Sequence, residues 1–250
     1  MTDTTVDIGL VLPELLGTYG DGGNAEILAR RLTWRGIPAR IVPVGMDEPI
    51  PTSLPLYVLG GGEDAAQELA VRHLTGLGEA VDRGGHVFAV CAGLQLLGQR
   101  FVTAEGRPRA GLGLLDLHTV GAPRRATGEI IAEPCHTGLD QLLTGFENHN
   151  GRTVLGPGSR PLGRVIRGVG NGDGAEGVVQ DRIVGTYLHG PALARNPQLA
   201  DLLLSRVLGH DLPPLDLPCV TTLRERRLGH LVRGRRPRWW DWRTGREYGR

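Results

Sequence analysis

Three short segments carry residue types that can do chemistry. The first is VFAVCAGLQLLG, residues 87–98, in which an apolar run meets a helical stretch at Cys91 with a glycine two positions later. A strand that turns sharply into a helix lifts the residue at the junction off the sheet edge and holds it in a sparsely populated backbone region. A thiol there sits at a helix N-terminus, where free N–H groups and the helix dipole favour thiolate. The N–H of Ala92 is then placed to meet an oxyanion. The second segment is VLGGGED, residues 58–64. A glycine run after a buried strand exposes backbone N–H groups to negative charge, so Gly61 or Gly62 can supply a second donor. No Gly-Lys-Ser/Thr follows, which excludes a Walker phosphate loop. The third is IVGTYLHGP, residues 183–191, which ends a strand in His189 before Gly and Pro stop the element. An imidazole at the rim of an α/β sheet can reach a nucleophile on the neighbouring strand. Singly, each segment has a plainer explanation: a structural cysteine, a tight turn, a packed histidine. Together they supply a nucleophile, a base and oxyanion donors, the parts needed for acyl transfer.

These residues need strands whose ends share one edge. Residues 6–12 read as a first strand, followed by a turn-rich stretch at 17–23. Asn24 is placed to cap a helix running to Trp34. Residues 39–44 and 56–59 read as strands, 63–83 as one helix with Leu69, His73, Leu77 and Ala80 near one face, and 86–90 as a buried strand. A helix over 92–100 follows. The second half holds strand signals at 114–117, 128–132, 163–167, 177–180 and 183–187, then a helix over 196–208. Strands alternating with helices through short links predict an α/β fold, a mostly parallel sheet with helices on both faces.

At 250 residues, 40% apolar and 4% aromatic with 39 glycines, the chain can bury a full core and turns tightly many times. A net charge of +1 gives no global case for nucleic acid or a membrane surface. No apolar run of about 18 residues exists, so no membrane span is expected. The N-terminus lacks a basic, then apolar, leader pattern, and the expected compartment is the cytoplasm. The three cysteines are far apart and none lies in a CxxC pair, so no metal site is expected, and Cys135 and Cys219 read as bystanders. The texture changes near residue 209. DLPPLDLP reads as a link, and beyond it lies an Arg-rich tail with Trp239, Trp240 and Trp242. The division is therefore a domain over 1–209 and a tail over 210–250. The tail is expected to dock a partner or to be disordered, in preference to binding RNA or anionic lipid.

The order of GGGED, CAGLQLLG and YLHGP, joined by YGDGGN at 19–24, GFENHNGRT at 145–153, VGNGDGAEG at 169–177 and TYLHGPALARN at 186–196, resembles the class I glutamine amidotransferase superfamily over about residues 6–208. The resemblance is to its CobB/CobQ-like group, and more narrowly to glutaminase subunits of lipid II isoglutaminyl synthases (GatD type). It implies a flavodoxin-like fold, Cys91 as nucleophile and His189 as base. It places Arg125, within RRATGE, against the α-carboxylate of glutamine, where a guanidinium binds bidentately. Gln95, Asn148 and His149 are further pocket candidates. The implied reaction hydrolyses L-glutamine to glutamate and ammonia. The ammonia would pass to a Mur-ligase-like subunit (MurT type) in a heterodimer, which would use ATP and Mg to amidate the D-glutamate α-carboxyl of lipid II in peptidoglycan synthesis. No cofactor is implied for this chain itself. The alternatives are the amidase component of a corrinoid (cobyric acid-type) synthase and a non-catalytic scaffold. In one respect the chain departs from the superfamily: Pro191 stands where many members carry Glu. The base must then be oriented by a backbone carbonyl or by an acid from a partner.

Overall fold

Strands buried on both faces read as unbroken apolar runs, and the first half of the chain supplies them. In order come β1 (Val6–Val11), α1 (Gly23–Thr33), β2 (Ala39–Val44), β3 (Leu56–Leu59), α2 (Asp64–His73), α3 (Leu77–Asp82), β4 (His86–Val90) and α4 (Ala92–Leu97). Every residue of β3 and β4 is buried. The computed structural model describes residues 5–103, 105–233, 239–241 and 246–248. It divides into two compact units, Met1–Leu215 and Asp216–Arg250.

The first unit continues with β5 (Arg100–Val102), β6 (Pro108–Ala110), β7 (Leu117–Pro134), β8 (Leu143–Leu155), β9 (Gly163–Arg167), β10 (Ala175–Glu176), β11 (Val178–Gln180), β12 (Ile183–Thr186), α5 (Ala192–Arg195) and α6 (Pro197–Leu208). One six-stranded sheet has the order β11-β12-β4-β3-β1-β2, parallel except for the edge strand β11. The chain steps from β1 to β2 in one direction and from β3 to β4 in the other. Right-handed crossovers then place α1 and the α2–α3 pair on opposite faces. They also make the β1/β3 boundary a topological switch point, the usual place for a ligand in such sheets. A second sheet, β10-β9-β7-β5-β6 with β8 on β7, is dominated by the long β7–β8 hairpin.

Several elements differ from the sequence expectation, each for a local reason. The helix expected over 63–83 is two helices, because Gly76 takes φ +96° between them, and Leu69 is exposed rather than on the buried face. Asn24 does not cap α1. It lies inside the helix, fully buried, donating from Nδ2 to the Asp21 carbonyl while Oδ1 accepts the Leu193 N–H. Of the strand expected at 114–117 only Leu117 is extended, as the first residue of the 18-residue strand β7, which also takes in the strand expected at 128–132. Its middle reads as a turn because Gly121 and Pro123 sit among exposed arginines, and there the register with β8 shifts between Gly121 and Ala126. In the second unit, α7 (Pro218–Arg233) is a helix where a link and tail were expected. Its Val220, Leu223, Leu228 and Leu231 have helical spacing that the arginines obscure. Strands β13 (Trp239–Asp241) and β14 (Arg246–Tyr248) pair antiparallel, and Trp242 lies outside the described residues.

Helices α1 and α6 are fastened by Arg31, 5% exposed, which grips Asp201 through Nε at 2.7 Å and Nη2 at 2.5 Å, with Arg35 at 3.0 Å from the same carboxylate. Removing the carboxylate leaves a buried guanidinium uncompensated. Asp201→Ala should therefore lower unfolding stability by about 2–3 kcal/mol, read as a fall in the urea midpoint at unchanged slope.

Candidate active site

The C-terminal ends of β3, β4 and β12 and the loop after β1 share one edge of the parallel sheet. Cys91 lies at the end of β4 with φ +51° and ψ −105°. This region is strained for a residue with a Cβ, at a cost of about 1–3 kcal/mol. Its N–H donates to the Thr186 carbonyl at 2.8 Å and its own carbonyl accepts Gln95 N–H at 3.0 Å, so the turn is held from both sides. Close packing requires Gly93: a Cβ there would come within 2.9 Å of the Gly60 carbonyl oxygen and of the Leu59 Cβ. Of the four non-glycine residues with positive φ among the described residues, three (Leu12, Tyr19 and Cys91) lie along this edge.

His189 is clamped through its backbone, which exchanges two hydrogen bonds with Phe146 of β8, at 2.8 and 3.2 Å. Its Nδ1 lies 2.9 Å from Oδ2 of Asp21, a fully buried residue. A carboxylate only accepts, so Nδ1 carries the proton. Nε2 is buried without a hydrogen-bond partner and lies beside Cys91. Burial works to lower the imidazole's pKa. The Asp21 hydrogen bond, and the Cys91 sulfur acting as a nearby charge rather than through a formed bond, outweigh it and raise the pKa to about 9. Asp21 therefore holds the imidazole, in place of the backbone carbonyl or partner-borne acid expected from Pro191. The residue was overlooked in the sequence, although an acid in a glycine-rich turn after the first strand, at the edge that carries Cys91, was a usable signal.

Gly61 is the point around which these groups gather. A Cβ on it would lie 2.8 Å from His189 Cε1, 3.1 Å from Asp21 Oδ2 and 3.5 Å from Cys91 Cβ. Its N–H donates to Asp21 Oδ2 at 2.9 Å, and its carbonyl accepts the Thr18 N–H. The Gly61 N–H is thus committed to the carboxylate in this conformation and is not the open oxyanion donor expected of it. Ala92, first residue of α4, and Gly62 remain as the expected donors.

Arg125 and Asn148 face each other across the β7–β8 hairpin. Arg125 Nε donates to Asn148 Oδ1 at 2.5 Å, and Asn148 Nδ2 donates to the Tyr19 hydroxyl at 2.6 Å. The Tyr19 ring meets His189 edge-on, centroids 4.8 Å apart. A chain of contacts thus runs from the guanidinium to the imidazole, and Tyr19 is its unforeseen link. Gln95 does not join them. Its Oε1 accepts from Gln67 and its Nε2 donates to the Tyr187 hydroxyl, which spends both ends of the amide in the core. His149 is also buried, stacked on Tyr187 with centroids 3.9 Å apart and bonded to the Gly151 carbonyl. Among the described residues no cluster of three metal-ligating side chains occurs.

Beneath His189, the strand end is anchored by Glu176, whose Oε1 accepts the Thr186 hydroxyl and the Tyr187 N–H, both at 2.8 Å. Complete burial, reinforced by the charge of Glu147, lifts this carboxyl to about 7. A raised acid stabilises the fold most below its ordinary value of 4.5, and that contribution is lost as pH rises through about 7. Glu176→Gln is therefore expected to raise Tm at pH 8 relative to wild type and to leave it nearly unchanged at pH 4.5.

The arrangement is a strained thiol beside an imidazole that is charged near neutral pH and backed by a buried carboxylate, which suits attack on an acyl carbon and protonation of its leaving group. The contribution of the charged imidazole to stability is complete below pH 6.5 and lost through about 9. Asp21→Asn should bring the His189 titration, followed by imidazole NMR, down from about 9 towards 6.5. An unmoved titration would remove Asp21 from this role.

A family profile for the CobB/CobQ-like glutamine amidotransferase domain matches residues 7–197. The GatD subunit of lipid II isoglutaminyl synthase (glutamine-hydrolyzing) from Staphylococcus aureus is 37% identical over 202 residues, covering 78% of this chain and 81% of that one. The corresponding subunit from Streptococcus pneumoniae is 34% identical over 211 residues, covering 81% and 80%. A crystal structure of a glutamine amidotransferase superposes with a TM-score of 0.57 at 24% identity, over 80% of this chain and 98% of that chain, a likeness of fold. The α/β architecture is that of class I glutamine amidotransferases, and the chain belongs to the CobB/CobQ-like glutamine amidotransferase family.

Proposed function

We propose that this chain is a GatD-like glutaminase subunit that hydrolyses L-glutamine and hands ammonia to a synthetase partner. The observation that carries the proposal is the meeting of Cys91, His189 and Asp21 around Gly61. Cys91 thiolate attacks the side-chain amide carbon. The oxyanion is met by the N–H groups of Ala92 and Gly62, and Gly61 joins only if its N–H leaves Asp21. The protonated His189 gives its Nε2 proton to the departing nitrogen as the C–N bond breaks, which releases ammonia and leaves a thioester. The now neutral imidazole takes a proton from water, which attacks the thioester carbon and frees glutamate and the thiol. Asp21 keeps the Nδ1–H tautomer throughout. Arg125, of which Asn148 engages only Nε, receives the substrate's α-carboxylate.

The acceptor side rests on the likeness to the GatD subunits. The partner in this proposal is a Mur-ligase-like synthetase of the MurT type, in a heterodimer and on the cytoplasmic side. It would bind ATP and Mg and amidate the D-glutamate α-carboxyl of lipid II. In the described residues no helix is long and apolar enough to cross a membrane, so lipid II would be reached through the partner.

A diazo-ketone analogue of glutamine tests the chemistry. Intact-mass and peptide mapping should find one adduct, on Cys91, absent in Cys91→Ser and formed about 10-fold to 100-fold more slowly in Arg125→Ala, the loss expected for one charge-assisted carboxylate contact. Adducts on Cys135 or Cys219, or none even on the copurified complex, would sink the proposal. The glutaminase kcat of Asp21→Asn should fall by about 10²-fold or more.

A further inference from the structure

At the opposite edge of the parallel sheet, about 15 Å from Cys91 along β4, four basic side chains gather with no acid among them. His86 opens β4, Arg182 precedes β12, Arg206 lies on α6, and His136 lies in the β7–β8 connection. Arg182 Nη1 donates to His86 Nε2 at 3.2 Å, and Arg206 Nη2 donates to His136 Nε2 at 2.5 Å. A guanidinium has no acceptor, so both Nε2 atoms must be lone-pair acceptors and both protons must sit on Nδ1. His86 Nδ1 and Arg206 Nη1 are buried without a partner, while the His136 ring also leans on the backbone of Thr137. His86 is itself only 6% exposed. Two buried N–H donors therefore stand without an acceptor, in a class of group that folded proteins seldom leave unpaired. Arg206 connects the two halves: burial first, then neighbouring guanidinium charge, lowers the pKa of both imidazoles, with Arg206 acting on each. Among the described residues no carboxylate pairs with Arg182 or Arg206.

We propose that this cluster binds a compact phosphate-type oxyanion, either inorganic phosphate or the phosphate group of a small monoester. Donors are in surplus and acceptors are missing, which calls for a ligand that only accepts. Two guanidinium charges match a dianion better than a single carboxylate, and the planar donor forks suit tetrahedral oxygens. The site is separate from Arg125 and does not depend on glutamine being the substrate.

The full chain would be titrated at constant ionic strength with inorganic phosphate and, separately, with glycerol phosphate, following the His86, His136 and His189 imidazole signals and the Tm. Saturable movement of His86 and His136, a rise in Tm, and a still His189 are expected. Binding should weaken about tenfold or more in Arg206→Gln and in Arg182→Gln. Arg182 is exposed, so its variant keeps the test valid if loss of Arg206 disturbs α6. Binding of inorganic phosphate alone would identify a free-anion site, and binding of both probes a monoester site. A response that tracks ionic strength only, that persists in both arginine variants, or that is absent with both probes would overturn the proposal.

Discussion

One carboxylate oxygen governs the geometry of this site. Oδ2 of Asp21 accepts both His189 Nδ1–H and Gly61 N–H, each at 2.9 Å, in a position that excludes water. The first bond sets the tautomer and orientation of the imidazole. The second fixes the glycine turn against it, and the turn in turn leaves room for the imidazole because it has no side chain. In a dry environment such charge-assisted bonds are strong and hard to exchange. The loop after β1, the turn after β3 and the end of β12 are thus tied at one atom, and Cys91 at the end of β4 is packed against them.

The second sheet contributes more than a covering. Phe146 of β8 holds the backbone of His189, and Glu147, the next residue, accepts the N–H groups of Val169 and Gly170. Asn148, one residue further, reaches Tyr19 and Arg125. Three consecutive residues on one strand therefore hold the imidazole backbone, the glycine-rich loop over 168–174 and the guanidinium. Period-two alternation sends Phe146 and Asn148 to one face and Glu147 to the other. This division of labour between faces lets a single strand serve both the site and the core beneath it.

Much of the parallel sheet was legible in the sequence because central strands announce themselves. LYVL, HVFAV and IVGT are short apolar runs next to glycines, and their ends locate Cys91 and His189 without further help. The β7–β8 hairpin was harder to see. Its solvent-facing positions hold Arg, Thr, Pro and Gly, whose turn-like local preference is overridden by pairing across the ladder. Asp21 was hidden for a related reason. It is distant in sequence from His189, and β3 and β4 stand between β1 and β12, so the two groups meet only because the loop after β1 reaches across those strand ends. Gln95 shows the converse: its proximity to Cys91 along the chain suggested the pocket, whereas helical geometry turns it towards Gln67 and Tyr187.

The loop between β1 and α1 is glycine-rich and partly exposed, the kind of segment in which insertions are ordinarily tolerated. Here it carries Asp21 on its inner side and Tyr19 on its outer side, with Asn24 of α1 bonded back to the Asp21 carbonyl. One added residue would shift the carboxylate away from His189 and Gly61 together. Its length is consequently constrained, whereas the β7–β8 hairpin already accommodates a change of register between Gly121 and Ala126, beside Arg125.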